Sequence, residues 1–226
     1  MDPKVGAGHE LWNKRWNDGQ TGFHEGAPNA LLATHIARIE EQKAHARILV
    51  PLSGKAVDVR WLADRGHDVV GVEFVERAVL SFFDEQKLTP VASKIGGAAA
   101  FQAGRITLVC GDFFEVASSP ELGEFDVVFD RAALVAVEPP LRGRYVEACR
   151  ARLVDGGVTF LVSFGYDQSR APGPPWSVPS DVVRELYAPF SVGIEELETR
   201  AAPANPRLTA AGIPVLMETA YLIRTS

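Results

Sequence analysis

Between residues 47 and 164 the chain alternates short, almost unbroken apolar runs with stretches whose apolar residues return at helical spacing. The runs are Ile48-Leu49-Val50, Val69-Val70-Gly71-Val72, Ile106-Thr107-Leu108-Val109, Phe125-Asp126-Val127-Val128-Phe129 and Val158-Thr159-Phe160-Leu161-Val162. A strand with one wet face alternates apolar and polar side chains, whereas runs that are apolar nearly throughout predict strands covered by helices on both faces. Helical periods lie between them. Val57 shares a face with Trp61 and Leu62, with Asp58, Arg60, Asp64 and Arg65 elsewhere and Gly66 as the stop. Ala78, Val79, Phe82 and Phe83 form a second apolar face, and Leu141, Tyr145, Ala148 and Cys149 a third, after Pro139-Pro140. Parallel neighbours need a crossover helix, so repeated strand-helix-strand units predict an α/β fold with a doubly wound parallel sheet.

Downstream, a helix from about Ser180 to Tyr187 precedes two strands, Ser191 to Leu197 and Val215 to Ile223. Pro203, Pro206 and Gly212 between them predict an irregular connection and hence a terminal antiparallel pair. Upstream, Leu31, Leu32, His35, Ile36 and Ile39 mark an amphipathic helix. Gly96 to Ala100 and Pro172 to Pro175 read as loops too short for domain linkers, which leaves one domain over residues 1–226.

Composition narrows the partners. The 226 residues hold 29 acidic and 23 basic side chains, a formal charge of -6, which offers no broad basic footprint for nucleic acid or an anionic membrane. A small-molecule partner and a monomer are expected. No apolar run approaches the ~20 residues of a membrane span, and residues 1–6 lack a signal-peptide core. Cys110 and Cys149 are too few for a disulfide framework or a four-thiolate zinc site, and His24 and His35 have no partner at metal spacing. A reducing cytosol and no metal are the expectations.

In doubly wound sheets, ligands sit beyond the carboxyl ends of the strands. The loop after the first strand, Pro51 to Ala56, has a single glycine, Gly54, and therefore fails as a dinucleotide fingerprint while still permitting close backbone approach. Glu73, 19 residues later, ends the second strand, where a carboxylate can grip a ribose diol. The same spacing also fits a turn glycine and a solvated strand-end acid. Gly111-Asp112 ends the third strand, where an adenine edge can be met. With little room for a pyrophosphate, a nucleoside without phosphates suits the loop, and S-adenosylmethionine is the common one.

Six motifs in order carry a resemblance: Trp12-x3-Trp16-x2-Gly19-x3-Phe23-His24; Val50-Pro51-Leu52-x-Gly54-Lys55 with Trp61-Leu62-Ala63-x2-Gly66-His67; Val69 to Glu73; Gly111-Asp112-Phe113-Phe114; Asp130 to Ala136; and Tyr166-Asp167-x5-Gly173-Pro174-Pro175. Together they make the chain similar to the thiopurine S-methyltransferase family, its bacterial members above all. The resemblance implies a seven-stranded class I methyltransferase sheet with the last strand antiparallel. It implies an N-terminal helical lid and helix over about residues 8–45 and a sheet core over 46–226. It also implies S-adenosylmethionine as cofactor, with S-adenosylhomocysteine as product.

Carried over position by position, Trp12, Trp16, Phe23, Leu52, Gly54, Glu73, Gly111, Asp112 and Arg131 would hold the cofactor. Phe23, Arg131, Trp176 and Arg207 would face the acceptor. Arg131 beside Asp130 also fits a plain strand-end ion pair, and Trp12, Trp16 and Phe23 also fit core aromatics. A lid over a sulfonium ligand accounts for both the rings and the polar loop from Asn17 to Gly22, since ring faces attract a cation by ~0.5–2 kcal/mol. Cys110 and Cys149 read as core thiols, Lys55 as a cation bonded locally at a helix start, and Pro174 and Pro175 as a rigid rim.

Ser53, Val75 and Trp176 depart from the family, which usually has cysteine, serine and phenylalanine there. The implied activity is methyl transfer to small thiols, aromatic or heterocyclic ones first. Halide, hydrosulfide, selenium or tellurium species, or a dedicated natural-product thiol, form the alternative acceptors, and a non-catalytic cofactor-binding domain the alternative of another class. An acidic thiol is already partly thiolate at neutral pH, so no catalytic base is required and Arg131 serves for positioning.

Overall fold

A computed structural model describes residues 3–19 and 24–225 and carries the strands that the apolar runs predict. Phe23, expected beside cofactor and acceptor, lies outside the described residues. The first strands are β1 (Arg47–Pro51), β2 (Asp68–Glu73), β3 (Val91–Ile95), β4 (Ala98–Ala103) and β5 (Ile106–Cys110). They are followed by β6 (Phe125–Arg131), β7 (Leu153–Gly165), β8 (Ser191–Pro203) and β9 (Val215–Thr225). One sheet contains them in the order β3-β4-β5-β2-β1-β6-β7-β9-β8.

Two features differ from the expected seven strands. Gly96 to Ala100, read as a loop, belongs to a hairpin. Gly96 and Gly97, at φ 57 and 80, make the turn that two left-handed residues allow, Ala98 pairs back with Ile95 of β3, and Ala99 to Ala103 pair antiparallel with β5. The sheet therefore has nine strands among the described residues, and β4 as well as the last strand runs against the parallel set. The C-terminal end follows expectation: β9 inserts antiparallel between β7 and β8.

The helices are α1 (Pro3–Asn17), α2 (Ala30–His35), α3 (Ala37–Glu40), α4 (Val57–Asp64) and α5 (Glu76–Glu85). After them come α6 (Phe113–Ser118), α7 (Arg142–Arg150), α8 (Ser180–Tyr187) and α9 (Pro206–Ala210). Successive strand residues point to opposite faces, so each apolar run feeds two cores. Leu49, Val70, Val109, Val128 and Leu161 pack with Phe113, Tyr145, Cys149 and Tyr187 of α6, α7 and α8. Ile48, Val69, Leu108, Val127 and Phe160 pack with Leu31, Leu62, Phe82 and Phe83 of the helices on the other side. Each fully buried side chain of this size contributes about 1.5–3 kcal/mol, and truncating Leu49 to Ala would cost about 2–5 kcal/mol.

Helix α4 sits one position from the expected face. Asp58, placed outside by the sequence pattern, is 2% exposed, and it accepts the Asn29 N–H at 2.7 Å, which offsets its burial. The connection from β8 to β9 is not wholly irregular either: Asn205 caps α9 by accepting the Leu208 N–H at 3.0 Å, with Pro206 in the first turn. Among the described residues no helix is long and apolar enough to cross a membrane.

Candidate active site

The chain winds to opposite sides of the sheet from β1, which pairs with β2 on one flank and β6 on the other, and the loops leaving β1 and β6 open a crevice between them. That crevice is a cavity of ≈ 680 Å³. Two of its walls are backbone that only a well-determined fold would hold. Leu52 (φ 48) and Ala132 (φ 67) are non-glycine residues in the left-handed region, and both line the cavity. Such conformations cost of order 1–3 kcal/mol each and cluster at functional sites.

Gly54, at φ 53, turns the loop so that its N–H reaches an Oε2 of Glu73 at 2.9 Å. The other carboxylate oxygen accepts the Val75 N–H at 2.8 Å. Glu73 is 6% exposed and lines the cavity, so it is not a solvated strand-end acid, and burial pushes its carboxyl up to about 7. Two accepted bonds leave lone pairs for two further donors, the number a vicinal diol presents.

Asp112 caps α6 through one oxygen, which accepts the Phe114 and Glu115 N–H groups at 2.8 and 3.1 Å, and holds His9 Nε2 at 2.8 Å with the other. His9 also stacks on Phe74, ring centroids 4.3 Å apart. These contacts lay α1 along the strand ends and bring Gly111, Asp112 and His9 around a smaller lobe of ≈ 90 Å³. Trp12, Leu52 and Phe74 border both lobes, joining them into one cleft. Gly111 is glycine because a Cβ there would lie 2.9 Å from Val116 and 3.2 Å from Ala98. Trp16, 6% exposed, covers Gly54, with its ring 3.4 Å from where a Cβ would stand.

At the end of β6, neighbouring Asp130 and Arg131 part company. Asp130 turns inward, 1% exposed, and accepts the Tyr145 hydroxyl at 2.7 Å and the Leu134 N–H at 3.1 Å. Burial pushes its carboxyl up to about 6. Arg131 turns to the cavity and pairs with Glu25, so the strand-end pair between the two neighbours does not form. Burial raises the Glu25 carboxyl against the opposing pull of Arg131.

Arg207 reaches the cavity from α9 and donates to the carbonyl oxygens of Pro172 and Pro174, both at 2.8 Å. It thus fastens the rim formed by Pro174 and Pro175. Trp176, expected to face the acceptor, lies behind that rim and does not line the cavity: its ring occupies the space beside Gly173, where a Cβ would be 2.1 Å away, and its backbone N–H donates to Val135 O at 2.6 Å. Lys55 does not bond locally as expected: it pairs at 2.5 Å with Glu85, the last residue of α5, because the loop after β1 lies beside the end of that helix. Among the described residues no group of three or more histidines, cysteines or acids could hold a metal.

Several lining residues carry no local signal in the sequence. Glu25 stands outside any motif, and Arg15 reads as an ordinary charge on α1. Glu218 could have been found, because it is an acid within the apolar run of β9, 5% exposed and tied to Arg200 at 2.8 Å.

The model of the family described as Thiopurine S-methyltransferase (TPMT) matches residues 7–226. The chain belongs to the thiopurine S-methyltransferase family. A thiopurine S-methyltransferase from Methylococcus capsulatus is 39% identical over 227 residues, covering 99% of this chain and 98% of that protein. One from Xanthomonas campestris pv. campestris is 40% identical over 216 residues, covering 95% and 98%. Among solved structures, a Burkholderia thailandensis 1,6-didemethyltoxoflavin-N1-methyltransferase with bound S-adenosylhomocysteine has a TM-score of 0.65 at 16% identity, covering 100% of this chain and 91% of its own. TehB from Haemophilus influenzae scores 0.58 at 11% identity, covering 85% and 62%. These likenesses show the class I methyltransferase fold, and membership of the family makes this chain an S-adenosylmethionine-dependent S-methyltransferase. The site fits that cofactor: the buried Glu73 carboxylate has acceptor capacity for two hydroxyls, and Gly54 keeps the loop free of a side chain beneath Trp16.

Proposed function

We propose that the acceptors are small aromatic or heterocyclic thiols and that the two ends of the cleft divide the work. One observation carries this reading. A single cavity joins the Gly54 and Glu73 end, under Trp12 and Trp16, to a largely apolar end walled by Phe164, Pro174, Pro175 and Leu216.

At the first end Glu73 accepts the ribose hydroxyls, Asp112 and Gly111 meet the adenine edge, and Leu52 packs against the nucleoside. Arg131, held by Glu25, faces the cofactor carboxylate or an anionic acceptor. S-adenosylmethionine bound here would supply a sulfonium methyl group, whose carbon an incoming thiolate sulfur would take in line as S-adenosylhomocysteine leaves. The faces of Trp12 and Trp16 favour that cation by ~0.5–2 kcal/mol, and α1 acts as the lid that excludes water. Alignment of the two sulfurs supplies up to ~7–11 kcal/mol, so no side chain has to take a proton from an already acidic thiol. At the second end, Arg207 holds the proline rim that shapes the acceptor pocket, with Trp176 buttressing the rim from behind.

The departures from the family pattern, which motivate the alternative acceptors, lie off the cavity lining and so give those acceptors no support. Val75 packs with Trp16 and Ala78, the Ser53 hydroxyl fills the space where a Cβ on Gly71 would stand, and Trp176 packs behind Gly173. Free Cys110 and Cys149 fit a reducing compartment, and we place the reaction in the cytoplasm.

The test is transfer of labelled methyl from S-adenosylmethionine to a panel of aryl and heteroaryl thiols, run beside iodide, hydrosulfide, selenite and tellurite. Turnover of the organic thiols at higher kcat/KM is expected. A tenfold preference for an inorganic nucleophile would replace this acceptor class, and binding of S-adenosylhomocysteine with no transfer to any acceptor would refute it.

A further inference from the structure

We infer that the acceptor end of the cleft selects thiols bearing an anionic group, a carboxylate foremost, and that Arg15 with Arg207 supplies the selecting charge. The inference deepens the thiol methyl-transfer reading and rests on it.

Among the described residues, six ionisable side chains line the main cavity: Arg15, Glu25, Glu73, Arg131, Arg207 and Glu218. Their partners leave a cationic surplus. Arg131 is ion-paired with Glu25, and Glu218 with Arg200. Glu73 is engaged by two backbone N–H groups, and because burial pushes it up to about 7 it brings only part of a negative charge at neutral pH. Arg15 and Arg207 face neutral partners. The Arg15 guanidinium lies over the Trp12 ring, 4.9 Å from its centroid. Arg207 donates to the carbonyl oxygens of Pro172, Pro174 and, at 3.5 Å, Gly173. Among the described residues no carboxylate lies within ion-pair distance of either.

The two guanidinia also feel each other: burial first, and then the charge of Arg207, lowers the Arg15 pKa. Two like charges beside a partly desolvated cavity repel, and an anion bound between them turns that repulsion into attraction on both sides. A guanidinium presents its donors as a planar fork that fits a carboxylate bidentately. Trp12 and the three carbonyls hold both forks in place in advance, which lowers the ordering cost of binding. The walls beside them, Phe164, Leu216, Pro174 and Pro175, suit a flat apolar ring. The matching ligand is therefore an aryl or heteroaryl ring with its thiol toward the cofactor and a carboxylate toward Arg15 and Arg207.

Comparing 4-mercaptobenzoate with its methyl ester tests this in the full-length enzyme, since the ester keeps an electron-withdrawing ring and removes the charge. The expected result is a kcat/KM at least tenfold higher for the acid at low salt, a preference that shrinks with added sodium chloride, and an acid-to-ester ratio at least tenfold smaller in Arg15→Gln. Equal kcat/KM for acid and ester in the wild type overturns charge selection and leaves thiol methylation standing. An undiminished ratio in Arg15→Gln overturns the part given to Arg15. Transfer to neither thiol, with S-adenosylhomocysteine bound, overturns the thiol reading and this inference with it.

Discussion

The backbone N–H of Gly54 donates to the Glu73 carboxylate across 2.9 Å, joining positions 19 residues apart in the chain. β1 and β2 are parallel neighbours, so their carboxyl ends emerge side by side, and the glycine turn after one meets the acid that ends the other. The contact fixes the carboxylate in the cavity wall at the cost of burying it.

That burial has a pH signature. Glu73 titrates at about 7 in the fold against 4.5 when unperturbed, so the folded chain keeps a proton that the unfolded chain has released between those values. Its contribution to stability is fully present below the unfolded value and is lost as pH rises to about 7. Hydroxyls donating to the carboxylate favour its ionised form, so cofactor binding should release a proton and tighten as pH rises from about 6 to about 8. Calorimetry with S-adenosylhomocysteine should show this slope in the wild type. In Glu73→Gln the slope should flatten and binding weaken by about 1–3 kcal/mol. A pH-independent Kd in the wild type would show that Glu73 does not meet the cofactor.

Gly54→Ala separates strain from contact. The new Cβ would be 3.4 Å from the Trp16 ring, an ordinary contact, but φ 53 is unfavourable for alanine. A left-handed alanine costs roughly 1–2 kcal/mol, which should lower Tm by about 2–8 °C in a chain of this size. A melting curve that coincides with the wild type would mean that the loop relaxes freely.

Tyr145→Phe should destabilise by about 1–3 kcal/mol, because it strands a buried acceptor on Asp130 that otherwise accepts the hydrogen bond of the Tyr145 hydroxyl at 2.7 Å. Denaturant unfolding measures it directly. Asp130→Asn with Tyr145→Phe should be less than additive, since both remove the same bond.

Arg207→Ala releases the carbonyl oxygens of Pro172 and Pro174 and frees the rim. The KM for aryl thiols should rise about tenfold, equivalent to 1.4 kcal/mol, while the Kd for S-adenosylhomocysteine should change less than threefold. An equal loss in both would place Arg207 in the general stability of the cleft.

Much of the fold was legible because strand burial is written locally. Ile48 to Val50 and Phe160 to Val162 are apolar at every position, and only a strand between two helical layers makes use of that. The hairpin of β3 and β4 was not legible. Ala98 to Ala100 have little strand propensity, and pairing with β3 and β5 keeps them extended. Within the site, Gly54, Glu73, Gly111, Asp112 and Arg131 were readable from their places at strand ends. Arg15 and Glu25 were not, because α1 and the segment before α2 meet the strand ends only across the crevice.

By itself the sequence determined which residues end the strands, because spacing along a repeating strand-helix unit maps directly onto one edge of a sheet, and its six ordered motifs carried the resemblance to the family and its cofactor chemistry. Tertiary structure decided which charges share the cavity and which are already answered. Asp130 and Arg131 are adjacent in the chain yet point to opposite sides of β6, while Arg131 and Glu25, 106 positions apart, form an ion pair. Electrostatic interaction depends on distance in space and on burial, and neither is a function of position along the chain.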